Sequence, residues 1–434
     1  MNAAHALRHA DVEVTLVDKH NYHTFQPLLY QVSTGYLPAE EVGAALRSVF
    51  RRQRNLTVRV ATVACLDNAT QQLRLQDGSS LSFDYLILAA GAETNFFGID
   101  GMADHGWPLY TLPDAVQLRT HLLETFERVA QTDPTGAART TVVVVGGGPT
   151  GVETAAALTS MAQDVVGPVA TLQVVLVEAG PRLLAAFSQR SSARALRDLR
   201  RRGVDVRLNR TVQSADANGI TLDGDERIQA GTAIWAAGVR ANQVGRALGL
   251  DLGRQDRVVV NSSLQAAGHP NVFVAGDLAG AGTSQSGGSL PMLAPVAIQT
   301  GRHAGKQVAR AVGGRSLAAF RYRDKGMMAV LGRGDAVAEL PLRPGTDSSH
   351  GYPLRFGGLP AWLLWVIVHI VYLIGFRNRI KVLLDWGWSY FTSRGAGAIL
   401  VRQSERPSRS SPTDGERSPQ PRSAHHEHGR ADGS

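Results

Sequence analysis

Three glycines, Gly146, Gly148 and Gly151, stand directly after the apolar run Thr141–Val145 and open a stretch of small residues. A backbone without Cβ atoms can turn tightly there and approach a pyrophosphate, which then meets the positive end of a helix. Glu178 ends the next apolar run, somewhat beyond the usual ~20 residues past the glycines, and the long segment after Gly151 absorbs the excess. An acid at that place accepts hydrogen bonds from a ribose 2′-hydroxyl and repels a 2′-phosphate, so the pattern points to NAD over NADP. Asp18 holds the equivalent place after the strand Val12–Val17, but the opening strand and glycine turn of that unit are not in the sequence. Three further strand ends, Ala89-Ala90-Gly91, Ala236-Ala237-Gly238 and Ala275-Gly276-Asp277, can set backbone N–H groups and a carboxyl against a second nucleotide. Each is weak alone; their order around one intact nucleotide unit is more specific.

These residues need strands that end where they stand and helices that cover them. Apolar runs alternate with helical patterns as a βαβ fold demands. The chain reads as a helix Asn2–Arg8, a strand to Asp18, a helix over Pro38–Phe50, strands at Leu56–Leu66 and Gln72–Leu75, and a strand entering Gly91. A crossover helix Pro113–Val129 and a linker Gln131–Arg139 lead to the second unit. There the expected elements are a helix from Gly151 to Met161, a strand Gln173–Val177, a basic helix Ala193–Arg202 and short strands up to Ile220–Leu222. Val258–Val260 and Val272–Val274 read as the return to the first unit. The expected fold class is α/β, with two Rossmann-like dinucleotide-binding domains, one inserted in the other, followed by a third, C-terminal region over 311–400.

A single cysteine, Cys65, excludes a disulfide framework and an internal redox dithiol. His20, His23 and His303 have no metal-ligand spacing, so no metal is expected. The net charge of +8 favours anionic partners such as nucleotides or a lipid surface, and no nucleic-acid partner is expected. Nothing in the first residues has the apolar core of a secretory signal. The stretch 401–434 is rich in Ser, Pro, Arg and His and too poor in apolar residues to fold.

Phe25-Gln26-Pro27-Leu28-Leu29-Tyr30-Gln31-Val32, the glycine loop through Glu153, Trp235–Val239, Ala275–Ala279, Ala294–Gln299 and Tyr322–Gly326 together resemble one family. It is the type II, non-proton-pumping NADH:quinone oxidoreductases, of the two-dinucleotide-binding flavoprotein superfamily, and the resemblance covers nearly all of 1–400. It implies non-covalent FAD on a domain made of 1–130 and 246–310, NADH on 140–245, a membrane-associating region 311–400 and a disordered tail 401–434. Hydride would pass from nicotinamide to flavin and electrons onward to a quinone. Asp18 would hold the FAD ribose and Asp277 its ribityl–phosphate region, with Ala90 and Gly91 near the flavin. Gly238 and Lys325 would complete the cofactor-binding set with Gly146, Gly148, Gly151, Glu178 and Gly276. Glu153 would face the nicotinamide–flavin contact; Ala297 and Gln299 would lie on the quinone side, Gln299 bonding a quinone carbonyl. The family usually carries glutamine where this chain has Pro295, which leaves quinone type and affinity open. Homodimers are common in the family. Its relatives that work through disulfides or sulfide need paired cysteines, which this chain lacks.

The run Leu359–Phe376 is uncharged apart from one histidine and is followed by Arg377, Arg379 and Lys381. Roughly 20 residues are needed to span a bilayer, so its length is marginal. Aromatic residues beside cations favour a monotopic anchor at the interface. The expectation is a peripheral or monotopic enzyme on the cytoplasmic side of the cytoplasmic membrane. A soluble NADH-dependent flavoprotein reductase or diaphorase is the alternative if that run is core. A non-catalytic NAD-binding scaffold is the alternative if Met1 is the true start; the missing loop is instead expected to reflect a shortened beginning.

Overall fold

The computed structural model describes residues 1–67, 70–132, 139–161, 171–282, 289–342, 352 and 354–392. The expected linker after residue 132, the long segment after Met161 and the tail 401–434 fall wholly or largely outside them.

The second nucleotide unit is a five-stranded sheet in the order Gly106–Pro108, Thr232–Trp235, Arg139–Val145, Thr171–Glu178, Asp205–Leu208. Its neighbouring strands all pair parallel, with Val145 opposite Val177 on one side and Trp235 on the other. The valine run fits, because a parallel sheet is covered on both faces and needs β-branched apolar residues throughout. Val142, Val143 and Val144 are fully buried. Helices Pro149–Met161 and Gln189–Arg201 follow their strands. Proline suits the first turn of the former, where a missing N–H costs nothing.

The outer unit contains a parallel pair, Val14–Asp18 with Leu56–Val60, and a separate three-stranded sheet in which Leu86–Leu88 pairs parallel with His269–Val274. Helix Ala294–Val312 lies beside helix Asn2–Ala6. Gly305 permits that approach, because a Cβ there would stand 2.5 Å from the Ala3 carbonyl oxygen.

Three expectations need correction. The segment 38–50 is not one helix: short helices Ala39–Val42 and Leu46–Val49 flank a strand, Gly43–Ala45, which pairs antiparallel with Tyr22–Thr24. Gly43 has extended φ/ψ, and the tertiary ladder with Tyr22–Thr24 outweighs local helix propensity. Leu56–Leu66 divides into Leu56–Val60 and Val63–Asp67, which join different sheets. Val258 and Val260 form only isolated bridges.

The C-terminal region is an antiparallel meander, Met327–Gly332, Asp335–Leu340 and Leu354–Gly358, followed by helices Leu359–Tyr372 and Phe376–Thr392. The apolar run is thus broken near its end. Leu373 turns extended (ψ 133°) and Gly375 has φ +93°, which only glycine adopts freely. Leu359, Leu363, Ile367 and Val371 recur every four residues and are exposed, with Ile367 at 60%. Phe376 at 77%, Ile380, Leu383, Leu384 and Trp388 continue the apolar surface on the second helix. Among the described residues, no helix is long and apolar enough to cross a membrane.

Candidate active site

The glycine loop has the geometry its residues suggest. Gly146 has φ +111°, and a Cβ on it would strike Ala236 backbone atoms at 2.6 Å. Gly151 packs so closely that a Cβ would overlap the Gly146 carbonyl oxygen. Above Gly148 no atom of the described residues lies within 4 Å of that position, which leaves room for a phosphate. Glu178 ends its strand with both carboxyl oxygens on main-chain donors, Gly147 N–H at 2.5 Å and Gly180 N–H at 2.6 Å. Loop and acid are therefore one assembled unit.

The second cluster centres on Asp277, which follows Gly276 (φ +71°). Burial raises the Asp277 proton affinity, and the nearby buried Arg257 opposes that rise. Tyr110 Oη donates to Asp277 Oδ2 at 3.4 Å, whereas Oδ1 is buried with no partner among the described residues. Gln26 donates to the Tyr110 carbonyl at 3.2 Å, so the Phe25–Val32 motif reaches this cluster through its second residue. Gly276 N–H is taken by Thr300 Oγ1 at 2.9 Å, and Ala297 stands beside Gly276. Gly91 has φ +71° and open space where its Cβ would be. Its carbonyl accepts from Asn242 N–H, so Ala90-Gly91 and Gly238 lie at the ends of the antiparallel ribbon Ala92–Thr94/Val239–Ala241. Gly238 itself makes room for Phe97, whose ring would be 2.6 Å from an added Cβ. Asp18 accepts from His20 N–H at 2.8 Å at the end of its strand.

Glu153 lies on the inner face of helix Pro149–Met161. Burial pushes its carboxyl up to about 8, while the N–H of Val330, donating to Oε1 at 3.0 Å, acts the other way. It lines a cavity of about 90 Å³ with Tyr30, Trp365 and Trp386. There Trp386 Nε1 donates to Gln31 at 2.7 Å and Gln31 donates to Tyr30 Oη at 3.0 Å. The C-terminal helices thus close over residues of the Phe25–Val32 motif.

Gln299 clamps a main chain: its Nε2 donates to the Arg323 carbonyl at 2.9 Å and its Oε1 accepts from Arg323 N–H at 3.0 Å. Lys325, expected among the cofactor-binding residues, donates to Tyr372 Oη at 2.7 Å. One turn before Tyr372, His369 stacks on Trp365 (4.1 Å between centroids) and meets the Phe25 ring edge-on at 6.0 Å. Burial pushes His369 down to about 4, so the ring is neutral and Nδ1–H donates to the Trp365 carbonyl. The last turn of Leu359–Tyr372 therefore meets both the Phe25 motif and the Tyr322–Gly326 segment held by Gln299. Pro295 sits in the first turn of helix Ala294–Val312, where proline is accommodated.

Tyr110, Arg257 and the pair Glu41–Asp385 were not legible from spacing. Glu41 is buried and pushed up to about 7, first by burial and then by Asp385 on the second C-terminal helix. No local pattern marks residues that meet only across the fold.

Comparison with known proteins agrees with this arrangement. Residues 1–301 match the family model of pyridine nucleotide-disulphide oxidoreductases, and residues 325–395 match that of the NDH2 C-terminal domain. The chain is 37% identical to the type II NADH:quinone oxidoreductase NdhA of Mycobacterium tuberculosis, covering 92% of this chain and 87% of that protein. It is 29% identical to the Staphylococcus aureus type II NADH:quinone oxidoreductase, covering 78% and 85%. Among solved structures, Plasmodium falciparum NDH2 in complex with NADH shares the fold (TM-score 0.77, 19% identity, 92% and 97% covered). So does the sulfide:quinone oxidoreductase of Aquifex aeolicus (TM-score 0.71, 15% identity, 93% and 97% covered). With two assembled clusters, a C-terminal region of matching kind and near-complete coverage of its relatives, the chain belongs to the type II NADH:quinone oxidoreductase family.

Proposed function

We propose that the protein oxidises NADH and reduces a membrane quinone, without pumping protons, using FAD as the intermediate carrier. FAD would accept hydride at its flavin ring and release electrons singly or in pairs, chemistry that no side chain supplies. The buried, unpartnered Oδ1 of Asp277 carries this reading: it needs a donor, and a ribityl hydroxyl supplies one. Gly91 and Ala90 would leave room for the ring system, and Asp18 would hold a ribose. Gly146, Gly148 and Gly151 would seat the NADH pyrophosphate at a helix N-terminus, with Glu178 at the adenine ribose. Glu153 would shield the nicotinamide contact from water. Gln299 would orient the quinone through its remaining bonding capacity, and Lys325, which holds the last turn of Leu359–Tyr372, would bring its remaining donors to the cofactor side.

The functional division that follows is 1–130 with 246–310 for FAD, 140–245 for NADH and 311–400 for the membrane. Association is peripheral or monotopic, through the exposed apolar stripes, and the face used is the cytoplasmic one, where NADH is supplied. The test is spectroscopic. Purified protein should show flavin absorbance that bleaches on adding NADH and returns on adding a lipid-soluble quinone. Colourless protein, or reduced flavin that ignores quinone, would defeat the proposal.

A further inference from the structure

The C-terminal meander does more than lead into the membrane helices. Glu339 lies at its centre, opposite Met327 and Arg355, and is 1% exposed. Its carboxyl group points out of the C-terminal region to the nucleotide unit. There it accepts from the Ser188 N–H at 3.0 Å, and from the hydroxyls of Ser188 and Ser191. Ser188 is the N-cap of the helix Gln189–Arg201. A carboxylate at that end satisfies an unpaired N–H and opposes the helix dipole. A strand far along the chain thus fixes the start of this helix.

From Ser188 the bonding continues to the glycine loop. Phe187 N–H donates to the Leu184 carbonyl at 2.8 Å, and Leu184 N–H donates to the Gly147 carbonyl at 2.8 Å. Arg182 closes the same turn, bonding the Phe187 carbonyl at 2.8 Å and Ser192 Oγ at 3.2 Å. Gly147 in turn donates to Glu178. A continuous set of short bonds therefore joins a buried carboxyl of the C-terminal sheet to the loop and acid that face the nucleotide. Arg194–Asp335 at 2.8 Å and Val330–Glu153 at 3.0 Å reinforce the same docking. Helix Leu359–Tyr372, with its apolar stripe, packs on the strand that carries Glu339.

We infer that Glu339 is a positioning residue for NADH, so that the C-terminal region sets nucleotide affinity as well as membrane attachment. This rests on the reading of Gly146–Gly151 and Glu178 as the NADH site. Without the carboxyl, the Ser188 cap and the turn 180–188 lose their anchor, and Gly147 loses the wall that fixes its carbonyl. Interactions of this charge-assisted kind set affinities on a tenfold scale.

The experiment uses the flavin-loaded full chain and variants Glu339→Gln and Ser191→Ala, the latter removing one donor and leaving the carboxyl. NAD+ binding is followed by calorimetry, and turnover with NADH and a short-chain quinone is measured separately. Glu339→Gln should weaken NAD+ and raise KM for NADH by about tenfold. Ser191→Ala should shift both in the same direction by less. kcat, KM for quinone, flavin content and attachment to lipid vesicles should stay at wild-type values. NAD+ affinity unchanged in both folded variants would overturn the inference, as would a change in quinone KM alone. Should Glu339→Gln not fold, unchanged NAD+ affinity in Ser191→Ala would overturn it as well. Wild-type protein that fails to bind NAD+ would instead remove the nucleotide-site reading itself.

Discussion

Asp277 and Glu178 are both carboxyl groups at strand ends, yet the structure treats them oppositely. Glu178 has two main-chain donors, while Asp277 keeps one buried oxygen without any among the described residues. A buried acceptor left unpaired costs roughly 1–3 kcal/mol, which a bound hydroxyl recovers. Asp277→Ala should therefore lower flavin affinity by about tenfold or more, measured as the flavin-to-protein ratio after dialysis; undiminished flavin content would contradict the assignment. At Glu178 the charge matters as well as the bonds. Glu178→Gln removes the repulsion of a 2′-phosphate, so the ratio of kcat/KM for NADPH to that for NADH should rise by about tenfold. No change in that ratio would mean that the acid serves only to tie Gly147 to Gly180.

The C-terminal helices show how an element can be apolar without being core. Leu359, Leu363, Ile367 and Val371 form an exposed stripe, whereas Ala361 and Trp365 of the same helix are buried. These side chains are about half exposed, so moving the exposed part of each into lipid is worth about 1 kcal/mol. The break at Leu373–Gly375 makes two shorter helices, each suited to lying in the interface. Arg379 caps the first by bonding the Leu373 and Val371 carbonyls at 2.7 and 2.8 Å. The double variant Ile367→Glu/Val371→Glu should lose sedimentation with lipid vesicles, with NADH oxidation by ferricyanide retained. Persistent vesicle binding would move the anchor elsewhere.

Across the whole molecule, carboxyl groups stand where units meet: Glu153 against the C-terminal sheet, Glu41 against the last helix, Glu339 against the nucleotide helix. Two of them bear on pH dependence. Burial raises Glu153 to about 8 and, with Asp385, Glu41 to about 7. A raised carboxyl holds more protons folded than unfolded, so its stabilising share is full below the ordinary value near 4.5 and is lost as pH rises through 7 to 8. Tm should accordingly fall between pH 5 and 9, and Glu153→Gln should flatten that fall by an amount on the order of a few kcal/mol in stability. An equally steep fall in the variant would assign the effect to other groups.

Much of this site was legible locally. The valine run, the three glycines and Glu178 follow one another in the chain, and their roles depend on backbone sterics and charge that operate over short distances. The Phe25–Val32 motif carried the family resemblance, but its cover by the C-terminal helices came only with the fold. Other features depended on contacts between distant segments. Residues 38–50 carry helix-forming side chains, but a ladder with Tyr22–Thr24 divides them. Lys325 belongs to a flanking motif, yet its ammonium meets Tyr372, and the ties of Tyr110 to Asp277 and of Glu339 to Ser188 join residues more than a hundred positions apart. The sequence alone located most of the elements and pointed to nucleotide chemistry, because periodicity and backbone freedom are local. Only the tertiary structure decided which carboxyl groups are buried, paired or left wanting a donor, because burial and charge pairing are properties of neighbours that the chain supplies from elsewhere.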